Sequence, residues 1–143
     1  MKNIKNERGV TLTSVLIYVL ALTVIVIIVG RITTYFYKNM NQVSTNTAAA
    51  AEYVKFNSYF TNEINTEGNY VDLCESDVII FSKSENQYTF KNNGIYMNKI
   101  KICKDIDSCK FSYNEETKEI SVQLKIYGKD YNTTYTVVEE INI

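Results

Sequence analysis

The 143-residue chain contains no histidine, no tryptophan and no proline, and only five glycines and three cysteines. Histidine is the commonest metal ligand and the usual general base near neutral pH, so its absence removes the residue on which many metal sites and acid–base centres depend. The chain also has no Gly-rich phosphate loop and no nucleophile motif. We therefore expect no enzyme activity, no metal site and no cofactor.

The chain also lacks an excess of either charge. Fifteen Lys and Arg residues accompany sixteen Asp and Glu residues, which leaves a net charge of −1. A general nucleic-acid-binding protein normally carries a basic excess. From this composition we expect no nucleic-acid partner.

The three cysteines, Cys74, Cys103 and Cys109, are too few and wrongly spaced for a zinc site. Cys103 and Cys109 enclose the segment CKDIDSC and could form a disulfide in an oxidising exterior. The alternative is that all three remain reduced, partly buried thiols. Asp105 and Asp107 provide too few carboxylates for a calcium loop, so we expect Lys104 to Ser108 to form a solvated loop.

One long apolar segment dominates the amino-terminal part of the chain. Val10 to Val29 is a run of 20 residues without a charge. At a rise of about 1.5 Å per residue this run spans about 30 Å, the thickness of the hydrocarbon core of a bilayer. A helix is expected, because backbone groups in lipid must form their hydrogen bonds internally. The basic residues ahead of the run favour an amino end inside the cell.

Three interpretations of this segment compete. A cleaved secretory signal peptide needs a short apolar core followed by small residues, and VGRIT after the run is a poor match. An uncleaved signal anchor would remain a plain membrane helix. A prepilin leader would be cut before the apolar run.

The stretch ERGVTLTSVLIYVLALTVIV resembles the processing motif of type IV prepilins and pseudopilins. The resemblance covers about the first 30 residues closely, with Lys5 and Arg8 in the basic leader and Thr11-Leu12 beyond the processing site. It implies that a prepilin peptidase cuts between Gly9 and Val10 and that Val10 becomes N-methylated. It also implies partners, namely other pilins through the amino-terminal helix and an inner-membrane assembly platform.

Ser14 departs from the pattern of that family, in which this position usually holds Glu. In a filament that Glu is thought to neutralise the amino-terminal charge of a neighbouring subunit. A buried unpaired ammonium is costly, and Ser14 offers no carboxylate to offset it. This departure argues against a major pilin and favours a priming or tip position.

The helical pattern continues beyond the apolar run. One stripe comprises Phe36, Met40, Val43, Thr47, Ala50 and Val54, and a neighbouring stripe comprises Tyr53, Phe56, Phe60 and Ile64. This spacing predicts an amphipathic helix that must bury its apolar side. Glu67-Gly68-Asn69 predicts its end.

From Tyr70 the apolar residues follow a period of two, which predicts strands. Val78–Phe81 forms a short apolar strand, and Asn92-Asn93-Gly94 predicts a hairpin turn between Tyr88–Phe90 and Ile95–Met97. Ile120 to Ile126 alternates strictly, and a final strand is expected from Tyr131 to Asn142. We expect five to seven antiparallel strands packed on the helix.

The predicted organisation is therefore α+β. It comprises a leader at 1–9, a transmembrane and filament-core helix at 10–30, an amphipathic helix at 31–66 and a β-sheet head at 67–143. The favoured function is a minor pilin or pseudopilin, membrane-anchored with its head outside and then part of a cell-surface filament. The alternatives are an uncleaved membrane-anchored extracellular binding module and a competence pseudopilin for DNA uptake.

Overall fold

The computed structural model describes the backbone of residues 5–137 and the side chains of residues 11–137. Its architecture is α+β, as predicted, with one long helix followed by antiparallel strands. Helix α1 is Lys5–Ile64. The described strands are β1 (Val71–Cys74), β2 (Val78–Phe81), β3 (Gln87–Lys91), β4 (Gly94–Met97), β5 (Ile100–Lys104), β6 (Ile106–Asn114), β7 (Glu119–Ile126) and β8 (Lys129–Thr136).

The chain divides into two compact units, residues 1–44 and residues 45–143. The first contains the apolar part of α1. The second contains the rest of α1 and both described sheets, a five-stranded sheet in the order β1-β2-β3-β4-β5 and a three-stranded sheet in the order β6-β7-β8. Every described strand pair is antiparallel and consecutive in the chain, so the head is built from successive hairpins.

The helix ends close to its predicted boundary. The Asn65 amide donates to the Thr61 carbonyl at 3.0 Å, and the Thr66 amide donates to the Glu63 carbonyl at 3.2 Å, which tightens the last turn. Gly68 follows with a φ of +70°, a left-handed conformation that glycine adopts without steric cost. The chain reverses there and enters β1.

The hairpin prediction around Asn92-Asn93-Gly94 is confirmed. Tyr88 pairs with Met97, and Lys91 pairs with Gly94 across the turn. Asn92 and Asn93 both have positive φ angles, 46° and 52°, as a tight hairpin turn requires. The alternating segment from Ile120 to Ile126 is also confirmed as a strand, since β7 buries every second side chain.

The predicted loop from Lys104 to Ser108 is wrong. β5 extends to Lys104 and β6 begins at Ile106, so only Asp105 separates the two strands. Asp105 makes this possible because its φ is 57°, a left-handed conformation that aspartate tolerates. The described part of the head has eight strands where five to seven were expected. The last described strand is Lys129–Thr136, and residues 138–142 of the predicted final strand lie outside the described residues.

One of the two predicted helical stripes is buried and the other is not. Phe56, Phe60 and Ile64 belong to the core of the head, and Tyr53 packs against it. Phe36, Met40, Val43 and Val54 are instead exposed, each by more than half. The expectation that the second half of the helix buries an apolar stripe against the strands is therefore confirmed for the stripe of Tyr53, Phe56, Phe60 and Ile64.

Candidate functional site

The first unit presents apolar side chains outward. Between residues 11 and 44 the structure describes no buried residue. The large exposed hydrophobic side chains run from Leu12 to Val29 and recur at Ile32, Tyr35, Phe36, Tyr37, Met40 and Val43. Within the described part of the chain, α1 is the one helix long and apolar enough to cross a membrane. An exposed apolar surface of this extent marks an interaction site with protein or lipid.

Hydroxyl groups within this apolar surface form hydrogen bonds inside the helix. Thr23 Oγ1 donates to the Val19 carbonyl at 2.8 Å. The Thr33 hydroxyl likewise donates to the Val29 carbonyl at 2.8 Å, and the Thr34 hydroxyl donates to the Gly30 carbonyl at 2.9 Å. Because each donor is satisfied by the helix's own backbone, these hydroxyls can enter lipid or a helix–helix contact without a lost hydrogen bond.

The predicted processing residues lie near the start of this segment. Gly9 and Val10 are part of α1, as are Lys5 and Arg8, whose side chains lie outside the described residues. Leu12 is 73% exposed and Thr11 is also exposed, whereas Ser14 is partly covered. Cleavage between Gly9 and Val10 remains a prediction, and it would place the new amino terminus at the beginning of the apolar surface.

In the second unit, Phe60 fixes the helix to both sheets of the head. Its ring lies 5.7 Å from Phe81 of β2 and 5.3 Å from Tyr88 of β3, measured between centroids. It lies 6.1 Å from Phe111 of β6 and 5.0 Å from Tyr135 of β8. These separations are typical of favourable aromatic contacts. A single helical residue therefore joins the inner faces of two separate sheets.

A buried carboxylate secures the end of the helix. Glu63 is only 5% exposed and accepts hydrogen bonds from the side-chain amides of Asn69 and Asn86, each at 2.7 Å. The Ser84 hydroxyl and the Tyr88 hydroxyl also donate to it. A buried charge is tolerated when its acceptor positions are satisfied in this way. The pKa of Tyr88 is raised well above its ordinary value by burial and then by the Glu63 charge and hydrogen bond.

Two cysteines are buried in the head, Cys103 on β5 and Cys109 on β6. Cys103 and Cys109 are both buried and carry free thiols in this structure, and the disulfide between them stays a prediction. Burial raises the pKa of Cys103 to about 12, and the Glu52 carboxylate adds to the shift. The Cys103 thiol donates to the Glu52 carbonyl at 3.6 Å, and the Lys104 amide donates to the Glu52 carboxylate at 3.0 Å. These bonds tie the end of β5 to the helix.

No protein-family model, curated protein sequence or solved structure matches this chain.

Glu63 was not identified by the sequence reasoning, although a signal was present. It follows Phe56 by seven positions and Phe60 by three, so it lies on the buried stripe of the helix. A charged residue on such a stripe is expected to have buried partners. In its described residues the structure contains no group of His, Cys, Asp or Glu side chains that could hold a metal ion.

Proposed function

We propose that the protein is a minor type IV pilin or pseudopilin, a filament subunit processed between Gly9 and Val10. The observation that supports this most strongly is the exposed apolar surface from Leu12 to Val43. It follows the Gly9 motif directly and belongs to the same helix that anchors the β-sheet head. Before assembly a membrane would cover this surface as far as Val29, and after assembly the helices of neighbouring subunits would cover all of it.

The length of the exposed surface favours a filament subunit over a plain anchor. A membrane-spanning helix needs about 20 apolar residues, which Val10 to Val29 already supplies. The exposed large side chains nevertheless continue through Tyr35, Phe36, Met40 and Val43, beyond Arg31. A membrane alone leaves this continuation uncovered, whereas packing against other subunits would bury it.

Ser14 supports a priming or tip position within the filament. Most members of the family that this segment resembles carry a carboxylate at the position of Ser14. That carboxylate would neutralise the amino-terminal charge of a neighbouring subunit. Ser14 provides a hydroxyl in its place, so the free energy of burying an ammonium beside it is larger. A subunit at the end of a filament has fewer such neighbours and tolerates the change.

Mass spectrometry of the amino-terminal peptide, on protein purified from its native membrane, tests the proposal. We expect a chain that begins at Val10 and carries a methyl group on its new amino terminus. Gly9→Val should abolish this processing. Gly30→Val is the matched control, because a Cβ atom added at Gly30 would have no neighbouring atom within 4 Å. We expect the Gly30→Val chain to be processed as the unmodified chain is.

A chain that still begins at Met1 in cells with an active prepilin peptidase would overturn the proposal. It would favour the uncleaved membrane-anchored module, which shares the same helix and head. Deletion of the peptidase provides the reference state, because the precursor should then accumulate at its full length. A processed chain would be compatible with a pilus, a secretion filament or a DNA-uptake filament. The subunits that copurify with the chain would distinguish these three systems.

A further inference from the structure

A shallow groove on α1, called the α1 groove, lies at the end of the membrane-length apolar run. It is lined by six exposed residues, Ile27, Gly30, Arg31, Thr34, Tyr35 and Lys38. Seven positions separate Arg31 from Lys38, which is close to two full turns of a helix. The two cationic side chains therefore lie on the same side of α1, and Gly30 adds no side chain to fill the space beside them.

The two positive charges of the α1 groove have no acidic partner. Ion pairs within a helix join residues three or four positions apart, and those positions around Arg31 and Lys38 hold only uncharged residues. Within the residues whose side chains the structure describes, the ion pair found is Lys55–Glu52 at 4.0 Å. A counter-charge for Arg31 and Lys38 must therefore come from another molecule.

A second copy of the same helix supplies no such counter-charge. The sequence contains no Asp or Glu between Glu7 and Glu52. Contact between this segment in two copies would place Arg31 and Lys38 beside neutral or like-charged side chains, and burying an unpaired charge is costly. The negative charge has to belong to a different chemical species.

The position of the α1 groove corresponds to the headgroups of a bilayer. If hydrocarbon covers α1 as far as Val29, Arg31 lies about 3 Å beyond it and Tyr35 about 9 Å beyond it along the helix axis. The headgroup layer is about 5–8 Å thick on each side of the hydrocarbon. Side chains of a helix lean toward its amino terminus, so the Lys38 side chain extends back toward this layer. Tyr35 is of the residue type that is enriched at membrane interfaces.

We propose that the α1 groove binds the headgroup of an anionic phospholipid. The Arg31 guanidinium presents parallel N–H donors to the lipid phosphate, the Lys38 ammonium adds a second positive charge, and an acyl chain lies along Ile27. The Thr34 hydroxyl already donates to the Gly30 carbonyl at 2.9 Å, so the two cations provide the recognition. A zwitterionic headgroup brings an ammonium of its own, and two unpaired cations therefore favour a lipid with net negative charge.

This inference rests on insertion of α1 into a membrane and is independent of cleavage between Gly9 and Val10. It is compatible with a filament subunit, because the headgroup layer ends before Met40 and Val43. Those exposed side chains still lack a cover in the membrane, which is the observation that favours packing against other subunits.

Tryptophan fluorescence of the full chain in phospholipid vesicles tests the proposal. The chain contains no Trp, so Tyr35→Trp introduces a single reporter into the α1 groove. The quenchers are phosphatidylglycerol and phosphatidylcholine, each brominated on the acyl chain near the headgroup and mixed in turn into unbrominated phosphatidylcholine. We expect the phosphatidylglycerol to quench at a mole fraction about fivefold lower, since one cation near an anionic surface contributes about that factor. Arg31→Gln/Lys38→Gln in the reporter chain should remove this preference.

Tyr37→Trp is the matched reporter, because two positions rotate a side chain by about 200° around the helix. We expect the two brominated lipids to quench it equally. Lys125→Gln/Lys129→Gln removes the same charge from β7 and β8 of the head and should leave the preference at Tyr35→Trp unchanged. Circular dichroism of each variant verifies that the helix and the head are folded.

Equal quenching of the Tyr35→Trp reporter by the two lipids would overturn the proposal, as would a preference that survives Arg31→Gln/Lys38→Gln. The same preference at Tyr37→Trp would also overturn it, since the lipid would then follow the overall charge of the helix. Quenching that weakens as the protein-to-lipid ratio rises would show that a second copy occupies the groove. Absence of quenching by either lipid would contradict the insertion on which the inference rests, whereas an unprocessed chain that keeps the preference would contradict only the cleavage.

Discussion

At the scale of single residues, Glu63 shows how one carboxylate can organise a turn. Its two oxygens accept from Asn69, Asn86, Ser84 and Tyr88, which lie on three different segments of the head. Asn69 in turn accepts the Lys83 amide at 3.0 Å through its own side chain. The end of α1, the following turn and the β2–β3 connection are therefore joined through one buried side chain.

Glu63→Gln should destabilise the head by roughly 1–3 kcal/mol, because the amide group of Gln would place a donor opposite donors of Asn69 and Asn86. Urea unfolding of the full chain in detergent, followed by tyrosine fluorescence, measures the change. Glu115→Gln is the matched control, since Glu115 is exposed in the β6–β7 turn. Equal unfolding midpoints for the two variants would show that the network does not stabilise the fold.

The buried Cys103 thiol predicts a loss of stability at alkaline pH. Its pKa is raised from 9.0 to about 12 in the folded chain, mainly by burial. Below pH 9 the thiol is protonated in both states and the folded state is fully stabilised. Between about pH 9 and 12 the unfolded chain loses this proton while the folded chain keeps it, so the free energy of unfolding falls.

In Cys103→Ala the free energy of unfolding should fall less steeply between about pH 9 and 12 than in the unmodified chain. The substitution also lowers the stability at pH 7, because it removes buried volume. The measurement is the urea midpoint between pH 7 and 11, in the presence of a reductant. Cys109, Tyr88 and Tyr135, whose pKa values burial also raises, keep part of the alkaline loss in the variant. A variant whose profile parallels that of the unmodified chain would contradict the assignment to Cys103.

At the scale of secondary-structure elements, the carboxyl-terminal part of α1 has one side that packs against the strands of the head and another side that is exposed. Phe56 and Phe60 stack at 5.1 Å between centroids, and Tyr53 stacks on Tyr131 of β8 at 4.6 Å. The Tyr135 hydroxyl donates to the Asn57 side chain at 2.6 Å. Val54 and Tyr59, on the other side, remain exposed. The exposed side of the helix is available for a neighbouring subunit in the proposed filament.

Phe60→Ala should destabilise the head by about 3–5 kcal/mol, because it leaves a cavity between rings of both sheets. Tyr59→Ala, at the adjacent exposed position, should change the stability by no more than about 0.5 kcal/mol. Thermal unfolding followed by circular dichroism distinguishes the two. Similar losses in both variants would mean that the aromatic cluster around Phe60 does not form the core contact described above.

At the scale of the whole molecule, the division into two units has a physical basis. Residues 45–143 bury aromatic and aliphatic side chains from α1 and both sheets, whereas no described residue of the first unit is buried. Stability in water follows from apolar burial, so the two units should behave differently when separated.

The segment 45–143, expressed alone, should be soluble, monomeric and cooperatively folded. The full chain should require detergent, because its exposed apolar surface has no cover in water. Size-exclusion chromatography and thermal unfolding provide the measurement. A segment 45–143 that aggregates or unfolds without cooperativity would show that its core depends on residues 1–44.

Several elements could be predicted from local pattern because their determinants are close in sequence. The apolar run, the end of the helix near Gly68, the hairpin at Asn92-Asn93-Gly94 and the alternation along β7 each depend on a few adjacent residues. The strand boundaries around Asp105 could not be predicted in this way. Asp105 connects two strands of different sheets, and the turn between β7 and β8 holds this segment. The Tyr127 hydroxyl donates to Asp105 at 2.9 Å, and the Gly128 amide donates to Asp107 at 2.7 Å.

The sequence by itself determined the α+β order of elements and the presence of a membrane-length apolar helix, because hydrophobic periodicity and charge are local properties of the chain. Only the tertiary structure decided which stripe of that helix is buried and which partners satisfy Glu63. These features join residues far apart in the chain, and strand pairing and helix–sheet packing bring them together.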